Sequence, residues 1–379
     1  MGNTIPEPRL KEFSVVYTAA ALNLMSTEFQ TCMKQMSAIL KEAYSAQHVA
    51  LVPGSGTFAM ESIVQQFVKP TTKVMIIRNG TFSYRWSQII KSMNLPEPIV
   101  VKAKPVYPGE LDSTWKPEDI DKVVQQILTD KPAFVFAPHV ETATGIMLPH
   151  DYITAVGKAC RQVDAIFVLD CIASGAMWVD MIDCQVDMLI SAPQKAWSGP
   201  ACCGFVMFQA RATVALQAST SSSFSLDLKK WAEVMTKYES GGFLYHTTLP
   251  TDALIQVRNQ MVATRQFGFK QATQAQIELG KGLREILAGR GFPSVAALGF
   301  EAPGVVVVHS PISDMVGRFI VQGYQIAGGM PFFLDEPEKT MTFRVGLFGL
   351  EKFTDVKGTL DGFQATLSKA LEDGALSKV

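Results

Sequence analysis

Short apolar runs alternate with amphipathic segments along the N-terminal half of the chain, and this alternation limits the fold more than any other feature. Residues 50–52, 73–78, 99–101, 133–138, 165–169 and 186–190 read as strands that are apolar along their length. Residues 26–46, 117–129 and 151–163 read as helices. In the first of these, Phe29, Met33, Met36, Ile39 and Leu40 recur at helical spacing, with Ser26 and Glu28 as starting chemistry. Strands that are apolar on both faces and joined by helices call for a mainly parallel sheet, right-handed crossovers and helices on either side. Ligands of open α/β sheets gather at the carboxyl ends of the strands. Gly56, Phe82, Thr142, Asp170 and Lys195 all fall just after strands.

Residues 167–208 carry the most chemistry: FVLDCIASGAMWVDMIDCQVDMLISAPQKAWSGPACCGFVMF. One apolar run ends in Asp170. The next leads through Ser191-Ala192-Pro193-Gln194 to Lys195 and a small-residue turn, Ser198-Gly199-Pro200-Ala201. Taken singly, these residues have ordinary readings, because an Asp closing a strand commonly caps a helix and Gln-Lys is a common surface turn. Their order, strand, acid, strand, lysine, turn, suits a pyridoxal 5'-phosphate (PLP) site. A carboxylate beside the pyridine nitrogen keeps the ring protonated. A lysine whose pKa is depressed can attack the aldehyde as a free amine. Asp170 and Lys195 are therefore the candidate catalytic pair.

Other candidates surround them. In Gly54-Ser55-Gly56-Thr57, between a strand and a helix, Ser55, Gly56 and Thr57 form either a plain tight turn or a phosphate cradle under the first helical N–H groups. Phe82 follows the strand 73–78 and serves either as core packing or as a ring that stacks on a flat ligand. Glu141-Thr142-Ala143-Thr144-Gly145 is a hydroxyl-rich strand end. Arg344 interrupts an apolar strand at 342–345, which calls for an anion, either a structural ion pair or a substrate carboxylate.

The bulk numbers exclude several classes. The chain has 379 residues, 47% hydrophobic and 18% charged, enough for two domains with a large core. A net charge of −1 with no basic block argues against nucleic acid or an anionic membrane as partner. No apolar stretch reaches a membrane span, and residues 1–13 lack the apolar core of a secretory signal. The six cysteines form no CxxC pair and the five histidines are scattered, so we expect no metal site and a reducing, cytoplasmic location. We expect an N-terminal arm at 1–20, a large domain at 21–260 and a smaller C-terminal α/β domain at 261–379. The boundary falls in a long helical region, 251–287, that breaks near Gly268. Residues 219–250, Ser-rich and then aromatic, read as an active-site or interface loop. Strands at 304–309 and 324–327, a helix at 312–322 and a closing helix at 354–372 complete the chain.

The segments GSGTFAMES, NGTFSYRW, HVETATG, LDCIASG, SAPQKAW, YHTTLP and FRVGLFG, in this order, resemble the class V aminotransferases of PLP fold type I. The similarity is strongest to the alanine–glyoxylate and serine–pyruvate subgroup and spans roughly residues 20–370. It implies a homodimer with shared active sites that moves an amino group from an alanine- or serine-like amino acid to glyoxylate or pyruvate. By this resemblance Lys195 is the Schiff-base lysine and Asp170 the partner of the ring nitrogen. Phe82 stacks on the ring and Ile172 packs at it. Thr142 lies near the ring hydroxyl, and Ser55, Gly56, Thr57 and Gln194 hold the phosphate. Tyr245 and Thr248 reach the neighbouring subunit's phosphate, and Arg344 binds the substrate α-carboxylate. The alternative activities on this scaffold are a 2-aminoethylphosphonate transaminase or a lyase. A desulfurase fits less well, because such relatives place His where this chain has Gln194 and Phe82. The cofactor half of the pattern is kept, whereas residues 17–29 depart from it.

Overall fold

The structure, a computed structural model, describes residues 10–376, so the first nine residues of the expected arm lie outside it. Among the described residues, seven strands form the main sheet. They are β1 (His48–Pro53), β2 (Val74–Arg78), β3 (Ile99–Lys102), β4 (Phe134–Pro138), β5 (Ile166–Asp170), β6 (Met188–Ser191) and β7 (Cys203–Phe208). Their order is β1-β7-β6-β5-β4-β2-β3. Strands β3, β2, β4, β5 and β6 pair parallel, whereas β7 runs antiparallel to both of its neighbours, β1 and β6. Strands β2, β4, β5, β6 and β7 are buried at every position, as runs covered on both faces must be.

Helices supply the cover: α1 (Thr27–Tyr44), α2 (Gly56–Phe67), α3 (Thr81–Ser92), α4 (Ile120–Asp130), α5 (His150–Gln162), α6 (Ala210–Ala218), α7 (Leu228–Glu239) and α8 (Thr251–Phe267). The expected start of α1 is observed: the Ser26 hydroxyl accepts from Phe29 N at 3.1 Å. Helix α8 ends at Gly268, whose φ of 102° lets the chain turn before α9 (Phe269–Ala288). A smaller antiparallel sheet follows, with β8 (Val305–His309), β9 (Ala327–Gly328) and β10 (Thr342–Gly346) in the order β8-β10-β9. Helices α10 (Met315–Val321), α11 (Leu350–Thr354) and α12 (Val356–Leu376) complete it. One apolar cluster runs from Leu22 to Met261; a second gathers residues from Ala272 to Ala370 with Ala176. These separate clusters support, as a proposal, the division near residue 260.

Three segments differ from expectation. The stretch 219–250 is not a loop throughout, because α7 lies inside it. Its buried Trp231, Val234, Met235 and Tyr238 recur at helical spacing, and the Asp227 carboxylate caps its start. The Ser-rich lead-in hides that period. An unexpected short helix, α11, precedes the expected closing helix, α12, across Asp355, and the strand expected at 324–327 shrinks to Ala327–Gly328.

One buried acid ties together the two strands that matter most. Asp187 immediately precedes β6 and is fully buried. Its carboxylate accepts from Phe167 N of β5 at 2.9 Å and pairs with Arg161 of α5 at 3.1 Å and Arg211 of α6 at 3.0 Å. Burial still holds its pKa above the usual range, outweighing both arginines. We predict that Asp187→Ala, which orphans the buried Phe167 N–H and removes the shared partner of Arg161 and Arg211, lowers unfolding stability by about 3 kcal/mol. Urea unfolding of the two proteins checks it, and a loss below about 1 kcal/mol would contradict it.

Candidate active site

Strands β5 and β6 pair in parallel, with Ile190 opposite Asp170. Asp170 is the last residue of β5, and Lys195 follows four residues after the end of β6, so both leave the sheet at the same edge. A cavity of about 140 Å³ opens there. Its lining includes nine residues singled out from sequence: Ser55, Gly56, Thr57, Phe82, Thr142, Asp170, Ile172, Gln194 and Lys195. They come from five separate chain segments, which is the convergence expected at the carboxyl ends of parallel strands.

Asp170 is the electrostatic anomaly of the cavity. It is buried, and Ile172 N donates to its Oδ1 at 2.9 Å. It forms no ion pair among the described residues. Burial pushes its carboxyl up to about 7; the nearby Glu141 carboxyl adds to this, and Arg85 and the Ile172 amide only partly oppose it. Lys195 is shifted the opposite way. Burial lowers its pKa, and the charge of Arg344 lowers it further. An acid that resists ionisation thus shares a cavity with an amine held toward its free form.

The phosphate-cradle candidates sit at the start of α2. The Ser55 carbonyl accepts from Phe58 N at 3.0 Å and Ala59 N at 3.3 Å, but its hydroxyl caps nothing. The Ser55 hydroxyl and the first N–H groups of α2 are thus available to an anion. Gly56 is required sterically, since a Cβ there would lie 2.6 Å from Ile172 Cδ1.

Phe82 stands in the first turn of α3, and that turn is anchored by Glu141. The Glu141 carboxylate, fully buried, accepts from Phe82 N (3.2 Å), Ser83 N (2.9 Å), Ser83 Oγ (2.9 Å) and Ala143 N (3.0 Å). Burial nonetheless raises its pKa. In the sequence Glu141 stood out only as the start of a hydroxyl-rich run. Arg85 stood in the sequence only within the segment NGTFSYRW, with no role given to it. It lines the cavity, donates to Thr57 Oγ1 at 2.9 Å and lies 5.0 Å from the centre of the Phe82 ring. Its signal was available, since residues three apart on a helix share a face.

The remaining candidates lie apart from the cavity lining. Arg344 is half-buried and has no ion pair among the described residues, so the structural reading of its charge loses support. Its Nε donates to Gly328 O at 2.8 Å, and its charge acts on Lys195. Tyr245 and Thr248 are exposed, with their hydroxyls 3.4 Å apart. Although no metal cluster was expected, His150, Asp183 and Cys184 bring ligand atoms within 4.8 Å of one another. The 2.6 Å His150–Asp183 contact is a hydrogen-bond distance.

Comparison with known proteins gives this geometry a family. The sequence model for "Aminotransferase class-V" matches residues 11–304. A 2-aminoethylphosphonate–pyruvate transaminase of Vibrio cholerae is 27% identical over 330 residues, which are 83% of this chain and 82% of the relative. Among solved structures, alanine–glyoxylate aminotransferase from Nostoc sp. superposes with a TM-score of 0.79 at 21% identity, covering 92% of this chain and 89% of the other. Ureidoglycine–glyoxylate aminotransferase from Bacillus subtilis gives 0.76 at 21% identity, covering 90% and 86%. The chain belongs to the class V aminotransferase family, and its architecture is that of the fold type I enzymes. It is a transaminase.

The state of Asp170 has a measurable consequence in the cofactor-free protein. A carboxyl whose pKa rises on folding keeps its proton in the folded chain where the unfolded chain has released it. Its contribution is therefore most favourable below the usual value of 3.8 and is lost as pH climbs through about 7. We predict that the melting temperature of the apo-protein falls between pH 5 and pH 8 by a margin that Asp170→Asn removes. Parallel pH profiles for the two proteins would contradict the buried, unpaired state.

Proposed function

We propose that the chain uses PLP to move an amino group from a small amino acid of the alanine or serine type to a small 2-oxo acid such as glyoxylate or pyruvate. The observation that carries this reading is the buried Asp170 carboxyl without an ion-pair partner, in one cavity with Lys195. A protonated pyridine nitrogen is the counter-charge such an acid lacks. Bound PLP would supply an electron sink for the pair left when the substrate Cα loses its proton.

The chain's own residues do the rest. Lys195 holds the cofactor and then, as a free amine, takes the Cα proton on Nζ; its depressed pKa favours that form. The Asp170 carboxylate keeps the ring nitrogen charged. Phe82 and Ile172 pack against the ring and Thr142 lies near its hydroxyl. The Ser55 hydroxyl, the Gly56 and Thr57 N–H groups and Gln194 hold the phosphate. Arg344 takes the substrate carboxylate and thereby sets the orientation of the Cα–H bond.

The reading includes a homodimer in which Tyr245 and Thr248 serve the neighbouring subunit's phosphate. The exposure of Phe224, Phe243, Leu244 and Tyr245 in that region supports it, because apolar and aromatic side chains favour a covered position. The expected cytoplasmic location is supported by six cysteines that are all free thiols. No helix among the described residues is long and apolar enough to cross a membrane.

A second reading is favoured by the named relative: the donor is 2-aminoethylphosphonate and the acceptor pyruvate, with Arg344 holding the acidic group. Half-reactions with a donor panel separate them. Conversion of the bound cofactor to its amine form marks transamination, and the donor that drives it fastest names the substrate.

Two outcomes are expected. Purified protein is yellow, and Lys195→Ala binds PLP without the covalent link that borohydride traps; a trapped link in that variant would contradict the assignment of Lys195. Arg344→Ala raises the dissociation constant of amino acids at least tenfold and leaves that of PLP within about threefold. Equal losses in both would make Arg344 a structural residue.

A further inference from the structure

Beside Lys195 the chain has built a rigid aromatic wall that the proposed chemistry does not use. The Nζ of Lys195 lies over the face of the Phe348 ring, 5.5 Å from its centre. Phe348 sits four residues after Arg344, just beyond the end of β10. Its ring is seated on three glycines from different parts of the chain. A Cβ built on Gly175 would lie 3.2 Å from ring atoms Cδ1 and Cε1. One on Gly304 would lie 3.0 Å from Cε1, and one on Gly346 3.6 Å from Cδ2. Two of these approaches are tighter than ordinary van der Waals contact, so side chains at 175 and 304 would push the ring from its place. Gly175 also has φ +62°, a conformation that favours glycine.

Gln276 of α9 fastens this arrangement. Its Nε2 donates to Pro303 O at 3.2 Å and to Leu347 O at 3.0 Å, the carbonyls just before Gly304 and Phe348. Leu347 N in turn donates to Gly304 O at 2.9 Å. The backbone on both sides of the wall is therefore pinned.

We propose that Phe348 sets the size limit of the substrate side chain, restricting the site to amino acids and 2-oxo acids with short, unbranched side chains. The inference rests on the transaminase reading of this site. If Lys195 Nζ takes the Cα proton, Cα must come within about 3–3.5 Å of it. If Arg344 holds the carboxylate, two of the directions around Cα are assigned. A ring face 5.5 Å from Nζ closes the space on that side of the amine, so a side chain directed there is stopped by the ring. Small apolar walls discriminate by about 10-fold or more for each methylene that does not fit.

The test is a chain-length series on the holoenzyme: alanine, 2-aminobutyrate, norvaline and norleucine, with the matching 2-oxo acids. For each, kcat/KM is measured, and the dissociation constant is read from the spectrum of the bound cofactor. PLP affinity is measured separately by equilibrium dialysis. The unaltered enzyme is expected to lose at least 10-fold in kcat/KM between 2-aminobutyrate and norvaline. Phe348→Ala is expected to raise the norvaline-to-alanine ratio at least 10-fold, and Phe348→Leu by a smaller factor, with PLP affinity within about threefold. The binding series reads the same ratio if turnover falls. An unchanged ratio in both variants, with alanine still used by the unaltered enzyme, overturns the role of Phe348 alone. Failure of the unaltered enzyme to convert any amino donor overturns the transaminase reading and this inference together.

Discussion

The arrangement depends on one buried carboxyl that has no cation of its own. Removing a carboxylate from water without a partner is costly, and proteins usually pair such a group or keep it protonated. Here the sheet carries Asp170 to the floor of a cavity. Its pKa rises to about 7 there, because burial outweighs the one amide that donates to it. Lys195, the one lysine lining that cavity, is itself shifted toward the neutral amine. The two groups are not each other's salt-bridge partner. They bracket a space that suits a ligand cationic toward the acid and electrophilic toward the amine.

Secondary structure and packing serve this spacing. Asp170 ends β5, Lys195 follows β6, and the parallel pairing of the two strands fixes their separation. Asp187 strengthens that pairing by binding the Phe167 amide of β5 from the start of β6. At the cavity wall, Glu141 accepts four hydrogen bonds and so fixes the first turn of α3, which presents Phe82 and Arg85. Glu141 and Asp187 lie outside the cavity lining, yet each determines where a lining residue stands.

Much of this was legible in the sequence because it is carried by local signals. Apolar runs bounded by polar residues gave the strands, and the residues just after them gave the cavity. That logic reached Ser55, Gly56, Thr57, Phe82, Thr142, Asp170 and Lys195, the family resemblance added Ile172 and Gln194, and all nine line one space. Signals that depend on contacts between distant segments were not legible. Phe348 lay in plain view in FRVGLFG, but its wall exists only where Gly175 and Gly304 meet it. Glu141 looked like part of a hydroxyl-rich turn, since three of the four hydrogen bonds to its carboxylate come from residues almost sixty positions earlier. Helix α7 was obscured because serines before it broke the pattern. Arg85 was a different miss, readable from helical spacing beside Phe82.

Family membership fixes the class of chemistry, and the donor and acceptor are the proposed part of the account. Arg344 and Phe348 belong to the smaller sheet's last strand and the turn after it, so the proposed carboxylate anchor and size limit sit on one short segment. The central claim remains the pairing of Asp170 with a charged ring nitrogen, and the ¹⁵N resonance of PLP labelled at that nitrogen reports on it directly. The account predicts a protonated nitrogen in the unaltered protein at neutral pH and an unprotonated one in Asp170→Ala. A nitrogen that is unprotonated in the unaltered protein, or protonated in both, would contradict it.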